Sequence, residues 1–272
     1  MKAAVIQLRG DRGLAGNLAC AGHWVACAAG AGATLVVLPE NFGYFGQKDL
    51  FEAGGAEATP DGPARRFLSD IARSHRVWLL GGTIPIADEP GAKPYAASLL
   101  VSPDGRQVAR YNKIHLFDVH VEATGRQYRE SDDYRHGEDV ITVEVPPVTL
   151  GLSVCYDLRF PELYRRQAEL GATVLAAPSA FTAATGEAHW QLLLRARAVE
   201  NLCFVLGANM ANRADPKNPT WGGSAIIDPW GRVIAGLEDE EGFATAELDL
   251  DGQARMRSKM PALEHRRLPA DP

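Results

Sequence analysis

The sequence has no stretch approaching 18 consecutive apolar residues, so no membrane span is expected. It has no basic excess. Lys and Arg number 28 against 34 Asp and Glu, for a net charge of −6. Broad binding to nucleic acid needs a cationic face, which this balance argues against. Cysteine is scarce: Cys20, Cys27, Cys155 and Cys203 form no CxxC pair and no dense framework. Neither a zinc site nor a disulfide scaffold is indicated, and reduced thiols in a cytoplasmic setting are the expectation. The first residues lack the basic segment, apolar core and cleavage site of a secretory leader. Internal repeats, low-complexity tracts and linkers are missing too. What remains is 272 residues, 46% hydrophobic and 23% charged, ordinary values for a globular protein. At roughly 100–200 residues per domain, one domain over 1–272 is expected.

Short Val-, Ile- and Leu-rich runs bounded by Gly or Pro read as strands. They are 3–8, 34–38, 77–84, 97–101, 107–111, 141–145, 150–154, 173–176, 203–208, 224–227, 233–235 and 244–248. Ser102-Pro103-Asp104-Gly105 and Asp228-Pro229-Trp230-Gly231 carry Pro and Gly where type I turns want them, and so predict hairpins. Helices are expected over 17–29, 63–74 (with Asp61 near its start), 161–170 (stopped by Gly171) and 190–201. Alternating strands and helices with added hairpins give a mixed α/β fold.

Three polar residues follow apolar strands: Glu40, Lys113 and Cys155. In α/β sheets, ligands bind beyond the carboxyl ends of strands. A thiol is a natural nucleophile, although mostly protonated at its ordinary pKa of about 8.5. A carboxylate can take its proton, and an ammonium can offset the like charges and stabilise an oxyanion. The N–H of Tyr156 is a candidate second oxyanion donor. Such a trio suits attack on a carbonyl or nitrile carbon. On spacing alone, a packing cysteine, a loop carboxylate and a solvated lysine are the more ordinary account of these residues.

Leu38-Pro39-Glu40, Tyr111-Asn-Lys113-Ile-His-Leu116 and Gly151-Leu-Ser-Val-Cys155-Tyr-Asp-Leu-Arg-Phe-Pro-Glu162 resemble the nitrilase superfamily of carbon–nitrogen hydrolases. The segments 178–190 and 194–201, with Trp221-Gly-Gly-Ser224 and His265-Arg-Arg267, resemble its amidase branch of ω-amidases and deaminated glutathione amidases. Cys155-Tyr156-Asp157 departs from the Cys-Trp-Glu of nitrilases and the Cys-Asn-Asp of carbamoylases. The resemblance implies a four-layer α-β-β-α sandwich of two mixed sheets. It makes Cys155 the nucleophile, Glu40 the general base and Lys113 the stabiliser of the tetrahedral intermediate. It also implies a second glutamate, for which Tyr128-Arg-Glu130-Ser131 points to Glu130, with Glu122 as rival. Tyr156, Arg159, Phe181 and Thr185 are the expected substrate-binding residues, with Arg159 facing a substrate carboxylate.

No metal or organic cofactor is implied. His115 and His120 flank Asp118 without a standard ligand spacing. Cys20, Cys27 and Cys203 are expected in the core. The implied activity is hydrolysis of a terminal ω-amide to acid and ammonia through a Cys155 thioester. Deaminated glutathione is the favoured substrate. The alternatives are an ω-amidase on α-ketoglutaramate or α-ketosuccinamate, a nitrilase or carbamoylase, a non-catalytic scaffold, and a thiol acyltransferase. The implied partners are a small amide and a second copy of the chain, meeting through helices 161–170 and 190–201.

Overall fold

Along the first strand Ala3 and Val5 face one way and Ala4 and Ile6 the other, and all four are fully buried. A strand covered on both faces belongs inside a layered α/β structure, not on its surface. The computed structural model describes residues 1–10, 12–89 and 91–267. In chain order the elements are β1 (Lys2–Gln7), α1 (Gly13–Gly30), β2 (Leu35–Val37), α2 (Leu50–Ala56), α3 (Pro63–His75), β3 (Trp78–Leu80), β4 (Ile84–Ile86), β5 (Tyr95–Val101), β6 (Gln107–Asn112), β7 (Asp118–Val121) and β8 (Arg126–Arg129). Then follow β9 (Thr142–Val145), β10 (Val148–Leu152), α4 (Pro161–Glu169), β11 (Val174–Ala176), α5 (Ala183–Asn201), β12 (Phe204–Gly207), β13 (Ala211–Asn212), β14 (Thr220–Trp221), β15 (Ala225–Ile227), β16 (Val233–Gly236), β17 (Gly242–Glu247) and α6 (Leu250–Lys259).

Two mixed sheets result. The first runs β17-β1-β2-β3-β5-β4, with β6 on the other side of β5. The second runs β16-β15-β12-β11-β10-β9. Each has three parallel strands at its centre, β1-β2-β3 and β10-β11-β12, flanked by antiparallel ones. One face of the first sheet packs Ile6, Val36, Leu38 and Leu79 against Ala21 and Val25 of α1 and Leu68 and Ala72 of α3. The other face packs Val5, Leu35, Val37 and Leu100 into a cluster with Leu150, Leu152, Leu175 and Leu206 of the second sheet. That cluster continues through to Tyr164 of α4 and Trp190 and Leu194 of α5. The layers are therefore helix, sheet, sheet, helix, as the resemblance implied. Each such side chain contributes roughly 1.5–3 kcal/mol on burial, so the inter-sheet layer is the main adhesive between the halves.

The structure refines the sequence-based expectations in several places. The run 77–84 is not one strand. Gly81 and Gly82 break it into β3 and β4, and Gly82 (φ +45°) lies so close to the Pro39 carbonyl that a Cβ there would clash. Asp61 does not cap α3. The buried Glu57 carboxylate does so instead, accepting from Ala64 N (2.7 Å) and Arg65 N (3.2 Å). The helix expected from 190 starts at Ala183, where the Thr182 hydroxyl accepts from Thr185 N. The hairpin β7–β8 alternates half-buried Val119, Val121 and Tyr128 with exposed polar residues and has no continuous apolar run to announce it. Cys203 is buried, whereas Cys20 and Cys27 are only half-buried on α1, contrary to a core position for both. Both expected turns form, with Gly105 at φ +83° and Gly231 at φ +84°. Among the described residues no helix is long and apolar enough to cross a membrane.

Candidate active site

Glu40 comes three residues after β2, Lys113 directly after β6 and Cys155 three residues after β10. The first two thus come from one sheet and the third from the other. All three are buried, with Lys113 1% exposed. Lys113 Nζ donates to Glu40 Oε1 at 2.8 Å and to both carboxylate oxygens of Glu130, each at 2.8 Å. The other Glu40 oxygen accepts from the Ala180 N–H at 2.8 Å, a backbone group of the second half of the chain. Glu130 opens a short 3₁₀ turn at the end of β8, and its Oε2 also accepts from Phe117 N at 2.6 Å. Glu122, at the exposed tip of the β7–β8 hairpin, does not line this site. Of the two candidate glutamates, the structure brings Glu130 to the ammonium.

The backbone at Cys155 is left-handed, at φ +49°. A non-glycine residue rarely adopts this conformation, and it persists only where surroundings fix it. Two contacts fix it here. Cys155 N donates to the Pro178 carbonyl (2.9 Å), and the preceding Val154 N donates to Asp157 Oδ2 (2.8 Å). Asp157 is fully buried. Besides Val154 it receives Tyr111 OH on Oδ2 (2.7 Å), and His115 N (3.1 Å) and His115 Nδ1 (2.7 Å) on Oδ1. Tyr111 and His115 lie two residues either side of Lys113, so one carboxylate ties the lysine segment to the cysteine turn. The His115 ring also stacks on Phe160 with centroids 3.6 Å apart.

The electrostatics set the resting protonation. Burial pushes the Cys155 thiol well above its ordinary range; the Glu40 carboxylate pushes the same way, and Lys113 only partly opposes them. Burial alone would lower Lys113, but Glu130 and Glu40 together hold its ammonium well above the usual lysine range. Burial raises Glu130 too, with Lys113 working against the rise. A third anion beside two carboxylates is unfavourable. The thiol therefore rests neutral, and its proton must leave as a bond forms at sulfur. Glu40 is the carboxylate that bears on it.

A cavity of about 360 Å³ opens onto these groups, a size suited to a small-molecule ligand. Glu40, Lys113, Glu130, Cys155, Tyr156, Phe181 and Thr185 all line it. Arg159 does not. It sits one 3₁₀ turn beyond Tyr156, where residues three apart eclipse. Its guanidinium lies 5.8 Å from the Tyr156 and Phe181 ring centroids and 3.2 Å from His189 Nδ1. The lining cation besides Lys113, among the described residues, is Arg129. It pairs with Asp132 at 3.3 Å, an exposed contact of a kind worth at most about 1 kcal/mol. Sequence reasoning passed over Arg129 although it adjoins Glu130 in the quoted motif. It also missed Thr220, on the two-residue strand β14, which is too short to show an apolar pattern. His115 is engaged with Asp157, and Asp118 accepts from Ser131 N. Among the described residues no group of three or more His, Cys, Asp or Glu is placed to hold a metal ion.

The family model described as carbon-nitrogen hydrolase matches residues 2–258. The deaminated glutathione amidase of Synechocystis sp. (strain PCC 6803 / GT-S) is 41% identical over 274 residues, covering 97% of this chain and 97% of that protein. The omega-amidase NIT2 of Homo sapiens is 36% identical, covering 97% of this chain and 94% of that one. The crystal structure of Saccharomyces cerevisiae Nit3, a member of branch 10 of the nitrilase superfamily, superposes with a TM-score of 0.88 at 32% identity, over 98% of this chain and 97% of that one.

Proposed function

The chain belongs to the carbon–nitrogen hydrolase family and is an amidase, and from that premise we propose that it cleaves the ω-amide of a small 2-oxo acid through a Cys155 thioester, with deaminated glutathione the favoured substrate. One observation carries the proposal. A neutral buried thiol, a carboxylate that bears on it and an ammonium clamped between two carboxylates meet in one cavity.

In the proposed cycle Cys155 Sγ attacks the amide carbon while its proton passes to Glu40. The oxyanion is met by Lys113 Nζ and the Tyr156 N–H. Collapse breaks the C–N bond, and Glu40 returns the proton to the departing nitrogen. Glu40 then takes a proton from water, whose oxygen attacks the thioester, and the thiol leaves reprotonated. Glu130 holds Lys113 and keeps its ammonium charged throughout. Each acid–base step of this kind contributes about 10²–10⁴-fold.

The leaving group needs one refinement. The amide bond of deaminated glutathione is secondary, so its cleavage releases an amine, whereas a primary ω-amide releases ammonia. The thioester is the same in both. A carboxylate at the far end of the acyl chain is assigned to Arg129, which faces the cavity, in preference to Arg159. The favoured substrate is supported by the higher identity to the Synechocystis amidase than to the human ω-amidase.

The test is a screen that follows the released acid over deaminated glutathione, α-ketoglutaramate, nitriles and N-carbamoyl amino acids. Fast turnover of deaminated glutathione and none of nitriles or carbamoyl compounds is expected. Comparable rates on α-ketoglutaramate defeat the preference, and full activity of Cys155→Ala defeats the mechanism. A homodimer or larger assembly belongs to the same proposal. Leu192 and Val199, seven apart on α5, and Trp230 on the adjoining turn are exposed, Leu192 by 65%. A monomer by light scattering argues against this.

A further inference from the structure

Several buried side-chain nitrogen and oxygen atoms lack a hydrogen-bond partner among the described residues, and Thr220 Oγ1 is the one whose residue lines the catalytic cavity. Thr220 is 3% exposed. Its backbone is pinned. It pairs with Asn212 across β13–β14 and bridges to Thr182. On either side, Trp221 N donates to the Phe181 carbonyl (2.9 Å) and Ala183 N to the Pro219 carbonyl (2.9 Å). Arg213 stacks over the Trp221 ring at 3.8 Å and donates to its carbonyl at 2.7 Å. A β-branched side chain on a fixed backbone has little freedom to find a new partner.

The neighbouring polar groups are already engaged. The Thr182 and Thr185 hydroxyls bond each other at 2.8 Å. Asn209 accepts from Phe181 N (3.0 Å) and donates to the Gly222 carbonyl (2.6 Å). Beside the satisfied Thr182–Thr185 pair, Thr220 thus carries a buried hydroxyl with no partner among the described residues. Valine has the same shape and would seal the wall without burying an unpaired dipole. A buried hydroxyl without a partner, in a residue that lines the cavity, calls for an explanation, and a ligand that completes it supplies one.

We infer that Thr220 binds substrate, its hydroxyl donating to an uncharged oxygen of the acyl chain. On the proposed substrates this is the 2-oxo carbonyl beside the carboxylate assigned to Arg129. Thr220 thereby sets the preference for 2-oxo amides over plain ω-amides. This rests on the substrate class proposed above.

The experiment compares deaminated glutathione with glutaryl-cysteinylglycine, which carries a methylene in place of the 2-oxo carbon. The readout is the ratio of their kcat/KM values, from released cysteinylglycine, in the wild type, Thr220→Val, Thr220→Ala and Thr220→Ser. Leaving a polar partner unpaired is worth roughly a ten- to hundredfold change. The ratio is expected to fall by about that much in the Val and Ala variants and to stay within about threefold in the Ser variant. The thermal midpoint of Thr220→Val is expected not to drop, because the hydroxyl has no partner in the protein to lose. An unchanged ratio in Thr220→Val and Thr220→Ala overturns the inference, and a lowered midpoint with an unchanged ratio marks a purely structural residue. If the wild type cleaves neither compound, the proposed substrate class is wrong and the inference goes with it. That outcome is distinct from intact turnover without loss of discrimination.

Discussion

Replacing Asp157 with Asn should cost stability and turnover together, because the site geometry leaves no neutral way to fit the amide. The carboxylate is fully buried and each oxygen serves two donors. Oδ1 takes His115 N and Nδ1, and Oδ2 takes Val154 N and Tyr111 OH. Asparagine keeps one oxygen. If its NH₂ replaces Oδ2, the tyrosine hydroxyl can turn and accept, but the Val154 N–H loses its acceptor. If the NH₂ replaces Oδ1, the other histidine tautomer can accept, but the His115 N–H loses its acceptor. Either orientation orphans one backbone donor, at about 1–3 kcal/mol. Lost charge assistance on the remaining bonds brings the total to about 2–4 kcal/mol. The orphaned donor adjoins the left-handed Cys155 or lies two residues from Lys113, so the thiol and ammonium lose their registration. A misplacement of about 1 Å costs on the order of 10² in rate. Urea unfolding gives the first quantity, and single-turnover acylation of Cys155 gives the second. A stability change under about 0.5 kcal/mol with acylation within twofold of wild type would refute the argument.

Three further outcomes follow from the same contacts. Arg129→Ala should raise KM for acid-bearing amides at least tenfold and spare neutral ones, whereas Arg159→Ala should affect both alike; the reverse pattern returns the carboxylate to Arg159. Lys113→Met leaves two buried carboxylates without their cation and should destabilise by about 3–5 kcal/mol, partly restored by adding Glu130→Gln. The raised lysine pKa gives the sign: its stabilisation is complete below the ordinary lysine pKa and disappears as pH rises through the folded value, so wild type and variant should converge only in strong alkali. The Cys155 thiol is pushed up by burial and then by Glu40. Its alkylation by iodoacetamide should therefore inflect above the ordinary pH of about 8.5 and move down in Glu40→Gln, and an inflection at or below 8.5 in the wild type contradicts the electrostatics.

The layers of the fold were legible because their signal is local. Val5, Leu35, Leu150 and Leu175 sit in short apolar runs whose length and Gly–Pro boundaries say strand before any partner is known. The positions of Glu40, Lys113 and Cys155 at strand ends were equally visible. That they meet was not, since the meeting depends on docking two sheets, and only resemblance to a family suggested it. The outer wall of the cavity was the least legible part. Arg129 stands on a hairpin with no continuous apolar run, and Thr220 matters for a hydrogen bond it lacks, a property of three-dimensional surroundings that no spacing encodes. Arg159 is a related case: four residues past Cys155 on a 3₁₀ turn, its guanidinium lies behind the cavity-lining rings of Tyr156 and Phe181.

Glu40 and Lys113 belong to one sheet and Cys155 to the other, and Glu40 spends one oxygen on the Ala180 N–H across the divide. The proposed catalytic group is thus complete only when the two sheets dock. A cut near residue 139 leaves Glu40 and Lys113 on one fragment and Cys155, together with β17 of the first sheet, on the other. Neither fragment can acylate, and activity recovered on mixing them measures the docking of the two halves. On the proposed mechanism, the base that serves Cys155 is in place only once the inter-sheet layer has closed, so chemical competence depends on the same contacts that dock the two sheets.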